Sequence, residues 1–277
     1  MKKIINLLLV LLLIISTTAV FAAQSRLRIL LIGDSTTEAG VPHSIKTDAL
    51  KFEEYITALL KAEENMPVVE TLNLGKSGET AKSIFTSGRY EKQIAPIIGE
   101  KVDYIFVRYG INDWFKCEDR ERDFPVDLKT LLERLRSDFP DAKLVPMTII
   151  PFMPKEHTDQ MNRMIYSVSK DLNLEVFDIY TPYQEYLDKY GEHTLNVRGM
   201  HLDSIPKKYH EMLKSKTSIY RQKGTSYQRV KEDDNRLDYL LGCYSEWYSD
   251  RHPNLAGYYL IGKCTVDYIL NDINCEK

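Results

Sequence analysis

Residues 27–35 read Leu27-Arg28-Ile29-Leu30-Leu31-Ile32-Gly33-Asp34-Ser35, and the character of this short segment sets the architecture expected for the chain. The apolar run is too short for a helix of ordinary length, and apart from Arg28 it does not alternate with polar residues. It therefore suits a strand buried on both faces. Four more runs of the same kind follow, at 68–74, 102–109, 144–150 and 174–179. Between them lie stretches with helical spacing. Residues 49–64 place Leu50, Tyr55, Ile56, Leu59 and Leu60 on one side, and 126–139 do the same with Leu128, Leu131, Leu132 and Leu135. Strand and helix in alternation predict an α/β fold, an open parallel sheet with helices on both faces. Functional residues in such sheets gather just past the carboxyl ends of the strands. Ser35 stands at such an end.

The chain has 277 residues, 43% hydrophobic and 28% charged, enough for one sizeable core and one domain over 23–277. The formal net charge is -3, with a sequence pI of about 6.1, so the basic excess that binding a phosphate backbone requires is missing. No nucleic-acid partner is expected.

Lys2 and Lys3 lead into an apolar stretch at 4–15, interrupted by Asn6 and followed by Ser16, Thr17 and Thr18, and then Val20, Ala22 or the next residue offers a small residue for cleavage. These three parts predict a secretory signal peptide over 1–22. The alternative is an uncleaved anchor, since the apolar stretch through Ala23 is about long enough to span a bilayer. No cysteine near the cleavage site indicates a lipoprotein. A protein that begins near Ala23 and works outside the cytoplasm, secreted or periplasmic, follows, without stable membrane association. Cys117, Cys243, Cys264 and Cys275 then lie in the exported part, where disulfides are permitted, with three possible connectivities. Free, buried thiols are the other reading.

Residues 191–248 show no clear strand and are heavily charged, with 222–228 reading as loop and Asp203 or Ser204 before Pro206 reading as a helix start. This extended segment is either a solvated surface excursion or a lid over a substrate cleft.

Chemistry concentrates in four places. Gly33-Asp34-Ser35-Thr36-Thr37-Glu38 puts a hydroxyl at the edge of the sheet after the first strand. Asn73-Leu74-Gly75-Lys76-Ser77-Gly78-Glu79-Thr80 and Gly110-Ile111-Asn112-Asp113 follow the second and third strands. Each can offer a donor, a backbone N–H beside a glycine or an asparagine amide, and donors converging beside a serine make an oxyanion hole. Finally, His252-Pro253-Asn254-Leu255-Ala256-Gly257-Tyr258 opens an apolar helix, where an imidazole can accept a serine proton near neutral pH.

In order and rough spacing these four blocks resemble the SGNH, or GDSL-type, hydrolase superfamily, from about Leu27 to the C-terminus. The resemblance implies a flavodoxin-like three-layer α/β/α sandwich with a five-stranded parallel sheet and no metal or organic cofactor. It implies hydrolysis of esters through an acyl-serine intermediate. Ser35 would be the nucleophile, His252 the base, and Ser35, Gly78 and Asn112 the oxyanion donors.

Two departures stand out. Where the family has an aspartate three residues before the histidine, this chain has Ser249, and Asp250 stands two before. Asp250 is taken to orient His252, with another acid or a carbonyl as alternatives. The long 191–248 segment also contains His201, a rival base. Secreted members commonly deacetylate polysaccharides, and Tyr109, Trp114, Trp247 and Tyr248 are candidate faces for sugar rings, or else core. The alternatives are a lipid esterase or thioesterase of lysophospholipase type, and a non-catalytic carbohydrate-binding protein on the same fold.

Overall fold

In chain order the main elements are β1 (Arg26–Gly33), α1 (Ser35–Glu38), α2 (Phe52–Ala62), β2 (Val68–Asn73), β3 (Tyr104–Arg108), α3 (Ile111–Lys116), α4 (Arg120–Asp138), β4 (Lys143–Pro146), α5 (Lys155–Asp171), α6 (Tyr180–Tyr190), β5 (Arg198–His201), β6 (Thr217–Gln222), β7 (Thr225–Glu232) and α7 (Leu255–Cys275). The computed structural model describes residues 26–222 and 224–275, so the expected signal peptide lies outside the described residues.

β1 to β4 form a parallel sheet in the order β2-β1-β3-β4. Beyond Arg26 every residue of β1 is buried, as its apolar run requires. Arg28 is tolerated there because its guanidinium reaches Glu70, 3.2 Å away, and Glu100 at the edge. The chain steps from β1 to β2 in one direction and from β3 to β4 in the other. Right-handed crossovers then put α2 and α4 on opposite faces. On one side α2 packs against α7, and on the other α4 packs against α5. In α2 the buried residues are Phe52, Ile56 and Leu60, one per turn, while Leu50 precedes the helix and is exposed.

The sheet has four strands among the described residues, not five. β4 stops at Pro146, and Asn162 Oδ1 takes the Ile149 N–H at 2.8 Å, away from any ladder. The expected fifth strand at 174–179 touches the sheet only through the parallel bridge between Met147 and Phe177. Its continuation is pre-empted by Thr148, whose hydroxyl accepts from both Ile179 N and Tyr180 N at 2.9 Å, so that α6 starts there.

The 191–248 segment holds strands after all. β5, β7 and β6 make an antiparallel sheet in that order, and 222–228 belongs largely to β6 and β7. Hydrophobic alternation is absent because the buried face of β7 carries Val230 beside Glu232, whose carboxylate is paired with Lys216 and Arg236. A second small core of Met200, Leu202, Ile205, Leu213, Val230, Leu241 and Trp247 sits under this sheet. The helix start near Pro206 is present as short turns leading to residues His210–Leu213.

All four cysteines are free thiols, Cys117 and Cys264 partly buried, Cys243 and Cys275 exposed. Among the described residues no helix is long and apolar enough to cross a membrane.

Candidate active site

β1 lies between β2 and β3, so the crevice of the sheet opens where β1 and β3 end. Ser35 begins α1 at that point. Asp34 caps the helix, its Oδ1 accepting from Thr36 N at 2.8 Å and Thr36 Oγ1 at 2.7 Å. Gly33 makes the turn possible: a Cβ there would meet Thr37 Oγ1 at 2.3 Å and Arg108 O at 2.5 Å. Beneath the turn the fully buried Arg108 donates to Thr36 O, and Tyr258 of α7 donates its hydroxyl to Ser35 O at 3.2 Å.

His252 is brought to Ser35 by the loop ahead of α7. Asn254 holds that loop, accepting from Gly257 N at 2.9 Å and donating through Nδ2 to Thr194 O at 2.9 Å. Val197 N donates to His252 O at 2.9 Å. The result is a hydrogen-bonded relay, with His252 Nε2 3.0 Å from Ser35 Oγ and His252 Nδ1 2.8 Å from Asp250 Oδ1. The same Oδ1 also accepts from His252 N at 3.1 Å. Burial pushes the Asp250 carboxyl up, but its hydrogen bonds from His252, the imidazole charge and Lys231 outweigh this and hold it below the usual carboxylate range. The rival His201 is elsewhere: it stacks on Tyr227 and faces Glu246. Ser249 ends a helical turn through its N–H to Glu246 O.

Gly78 and Asn112 stand on the loops after β2 and β3. Gly78 has φ +76°, and its carbonyl accepts from Lys116. Among the described residues neither Ser35 N–H nor Gly78 N–H makes a hydrogen bond, so both are available as donors. Asn112 Nδ2 donates one hydrogen to Glu79 O at 3.1 Å, which fixes the amide and leaves its second hydrogen available. Glu79 is itself clamped, its carboxylate taking Arg89 Nε at 2.5 Å, Arg89 Nη2 and the Tyr109 hydroxyl at 2.5 Å.

Sequence reasoning missed Arg108, Glu79 as an anchor, and Phe152, whose ring meets the His252 imidazole edge-on at 5.1 Å. Arg108 had a signal, a charge inside the apolar run 102–109; Phe152 had none. Two of the candidate sugar platforms are core instead. Tyr109 is buried on Glu79, and Trp247 is buried with its Nε1 on Asp238 Oδ1 at 2.8 Å. Trp114 stacks on His157 and Tyr248 on His193, both at 4.1 Å, and both are partly exposed.

Asp113 is fully buried next to this site and accepts from Ala81 N at 2.9 Å. Burial, with the nearby Asp34 charge, pushes its carboxyl up to about 7. The folded protein thus keeps a proton that the unfolded chain has already released between about pH 4 and about pH 7. Stability therefore falls as pH rises through that window, by at most about 1.4 kcal/mol per unit, and levels off above it. Asp113→Asn keeps an acceptor for Ala81 N–H and removes the ionisation. Urea midpoints of the variant should decline less across the window than those of the wild type. Parallel pH dependences would rule this out.

A family model described as the GDSL-like Lipase/Acylhydrolase family matches residues 31–203, more than half of the chain. The chain belongs to this family and is a hydrolase acting on ester bonds. No protein of curated function matches it. Among solved structures, an acetylxylan esterase from Geobacillus stearothermophilus is similar at 17% identity and a TM-score of 0.52, covering 87% of this chain and 92% of the other. An alpha/beta hydrolase enzyme from the metagenome of Lake Arreo, Spain, is similar at 18% identity and a TM-score of 0.51, covering 87% and 93%. At such identities the likeness concerns the fold. The matched family segment ends before His252, so the proximity of that histidine to Ser35 comes from the geometry alone.

Proposed function

We propose that this protein is a secreted or periplasmic serine esterase that removes acetyl groups from carbohydrates through an acyl-serine intermediate. The observation that carries the mechanism is the unbroken relay from Ser35 Oγ through His252 to Asp250. Ser35 Oγ attacks the ester carbonyl carbon while His252 Nε2 takes its proton. The oxygen that gains negative charge is met by Ser35 N–H, Gly78 N–H and the second Asn112 amide hydrogen. Collapse breaks the bond to the sugar oxygen, which leaves with the proton from His252. Water then attacks the acetyl-serine, giving its proton to His252, and acetate departs as Ser35 recovers it. Residues 23–277 act as one catalytic domain once the signal peptide 1–22 is removed, with no cofactor and no nucleic-acid partner.

A carbohydrate is favoured over a lipid by the surroundings of the relay. Beside Phe152 and Arg251 lies a cleft of about 560 Å³ that also takes in Lys155, Gln184, Asp188 and Glu192. A lining of this polarity suits a polyol and opposes a long acyl chain. The acetylxylan esterase named among the similar structures agrees with that class. A panel of acetylated sugars, p-nitrophenyl esters of rising chain length and lysophospholipids tests the reading. Acetyl esters should turn over fastest, with activity falling as the acyl chain lengthens. Preference for long chains or lysophospholipids would sink the carbohydrate reading, and failure to react with a fluorophosphonate probe would sink the enzymatic one.

Removing one oxyanion donor isolates the role of Asn112. Asn112→Ala should lower kcat by about 100- to 1,000-fold with KM little changed. A loss confined to KM would instead make Asn112 a residue that binds the ground state.

A further inference from the structure

The β5-β7-β6 sheet has two unlike faces. On β7, Val230 and Glu232 are buried, while Tyr227, Arg229 and Lys231 alternate with them and are partly exposed. Tyr220 lies opposite Tyr227, and Ser218 and His201 lie opposite Arg229 on either side. Cross-strand partners share a face, so Tyr220, Tyr227, His201, Arg229 and Lys231 form one surface. His201 stacks on Tyr227 at 4.2 Å, Tyr220 and Tyr227 are 5.3 Å apart, and Lys231 Nζ lies 5.3 Å from the Tyr220 ring, which is 40% exposed. Arg229 gives one N–H to Gly199 O at 2.7 Å, and its Nε–H is buried without a partner. Among the described residues neither Arg229 nor Lys231 has a carboxylate at ion-pair distance. Burial also pushes the Lys231 ammonium below the usual lysine range, with Asp250 acting on it from further away.

The strand at one edge of this surface begins beside the relay. Val197, just before β5, is hydrogen-bonded to His252 O, and Asn196 bridges Pro253. β5 therefore starts at the backbone of the histidine, and at roughly 3.3 Å per residue His201 lies about 13 Å further along. Lys231 pairs in register with Gly199, near the beginning of that path.

We infer that this face holds the polymer beyond the scissile ester, and that the polymer is an anionic glycan bearing carboxylates. Aromatic side chains present an apolar body to sugar rings. The guanidinium and the ammonium, which lack an anionic partner, gain charge-assisted hydrogen bonds from uronate carboxylates. A nucleic acid fits less well, because the face presents two cations, Arg229 and Lys231, rather than the row of them that tracking a phosphate backbone requires. The inference rests on the esterase reading only in placing the ester at Ser35.

The test uses Ser35→Ala protein, which binds without turnover, titrated by calorimetry at low salt with tetragalacturonate, xylotetraose and a single-stranded oligodeoxynucleotide. Tetragalacturonate should bind roughly tenfold or more tightly than xylotetraose, as loss of one or two charge-assisted bonds implies. Adding Arg229→Gln should abolish that preference, and adding Tyr220→Ala, on the exposed surface, should weaken tetragalacturonate several-fold. Equal affinities for the two sugars overturn the inference, as does binding of the oligodeoxynucleotide at least as tightly as tetragalacturonate. The esterase reading fails separately: wild type would then hydrolyse no acetylated sugar, acidic or neutral, whatever the titrations show.

Discussion

Ser35→Ala should fold as the wild type does and lose turnover by on the order of a millionfold, the loss seen when the nucleophile of such a relay is removed. The fold is indifferent to the hydroxyl. Asp34 caps α1 through Thr36, and the bonds from Tyr258 and Ala39 go to the Ser35 carbonyl, which alanine retains. The hydrogen bond from Ser35 Oγ to His252 is the one interaction that disappears, worth about 1 kcal/mol to stability. Activity on p-nitrophenyl acetate, fluorophosphonate labelling and an unfolding curve check the three parts together. A variant that keeps a hundredth of wild-type turnover, free of contaminating esterase, would falsify the assignment of the nucleophile.

Asp250→Asn should cost roughly 10,000-fold in kcat. An imidazole that passes a proton between Ser35 and the leaving oxygen must hold its other proton on Nδ1, and a carboxylate there enforces that tautomer while stabilising the imidazolium. An amide of the same shape can present its N–H to Nδ1 and so favour the wrong tautomer. Asp250 is held ionised by His252, so it stays charged through the range in which an imidazole titrates. One oxygen, Oδ1, takes both the ring and the backbone N–H of His252. That double use lets an acid two residues ahead reach the ring. Ser249→Ala and His201→Ala are the controls and should cost little, since neither side chain bonds to His252 or Ser35 in this arrangement. Comparable kcat for Asp250→Asn and wild type on one small acetyl ester would remove Asp250 from the mechanism.

The parallel sheet was legible because burial on both faces leaves its mark in the chain itself, as near-continuous apolar runs at β1 and β3, each carrying one arginine. Where side chains substitute for the backbone ladder, that mark misleads. The 174–179 run looks like a strand, yet Thr148 captures the N–H groups that would have continued it. The opposite error occurs at β7, a strand hidden because its buried face carries Glu232, neutralised by partners distant in sequence. Tyr109 and Trp247 show the same limit, since an aromatic side chain looks alike whether it lines a cleft or fills a core.

What the sequence by itself determined is the alternation of strands and helices, the placing of Ser35, Gly78 and Asn112 at strand ends, and the family that these blocks define. All of these are set by residues within a few positions of one another. The resemblance implied His252 as the base, but only tertiary structure carried its imidazole to Ser35, across 217 positions of chain. It alone turned residues 191–248 into a sheet with its own core and gave that sheet a cationic, aromatic face. The physical reason is that local spacing sets which way a side chain points along its own element. Which distant group it then meets depends on how the elements pack, and that is settled by burial and hydrogen bonding summed over the whole molecule.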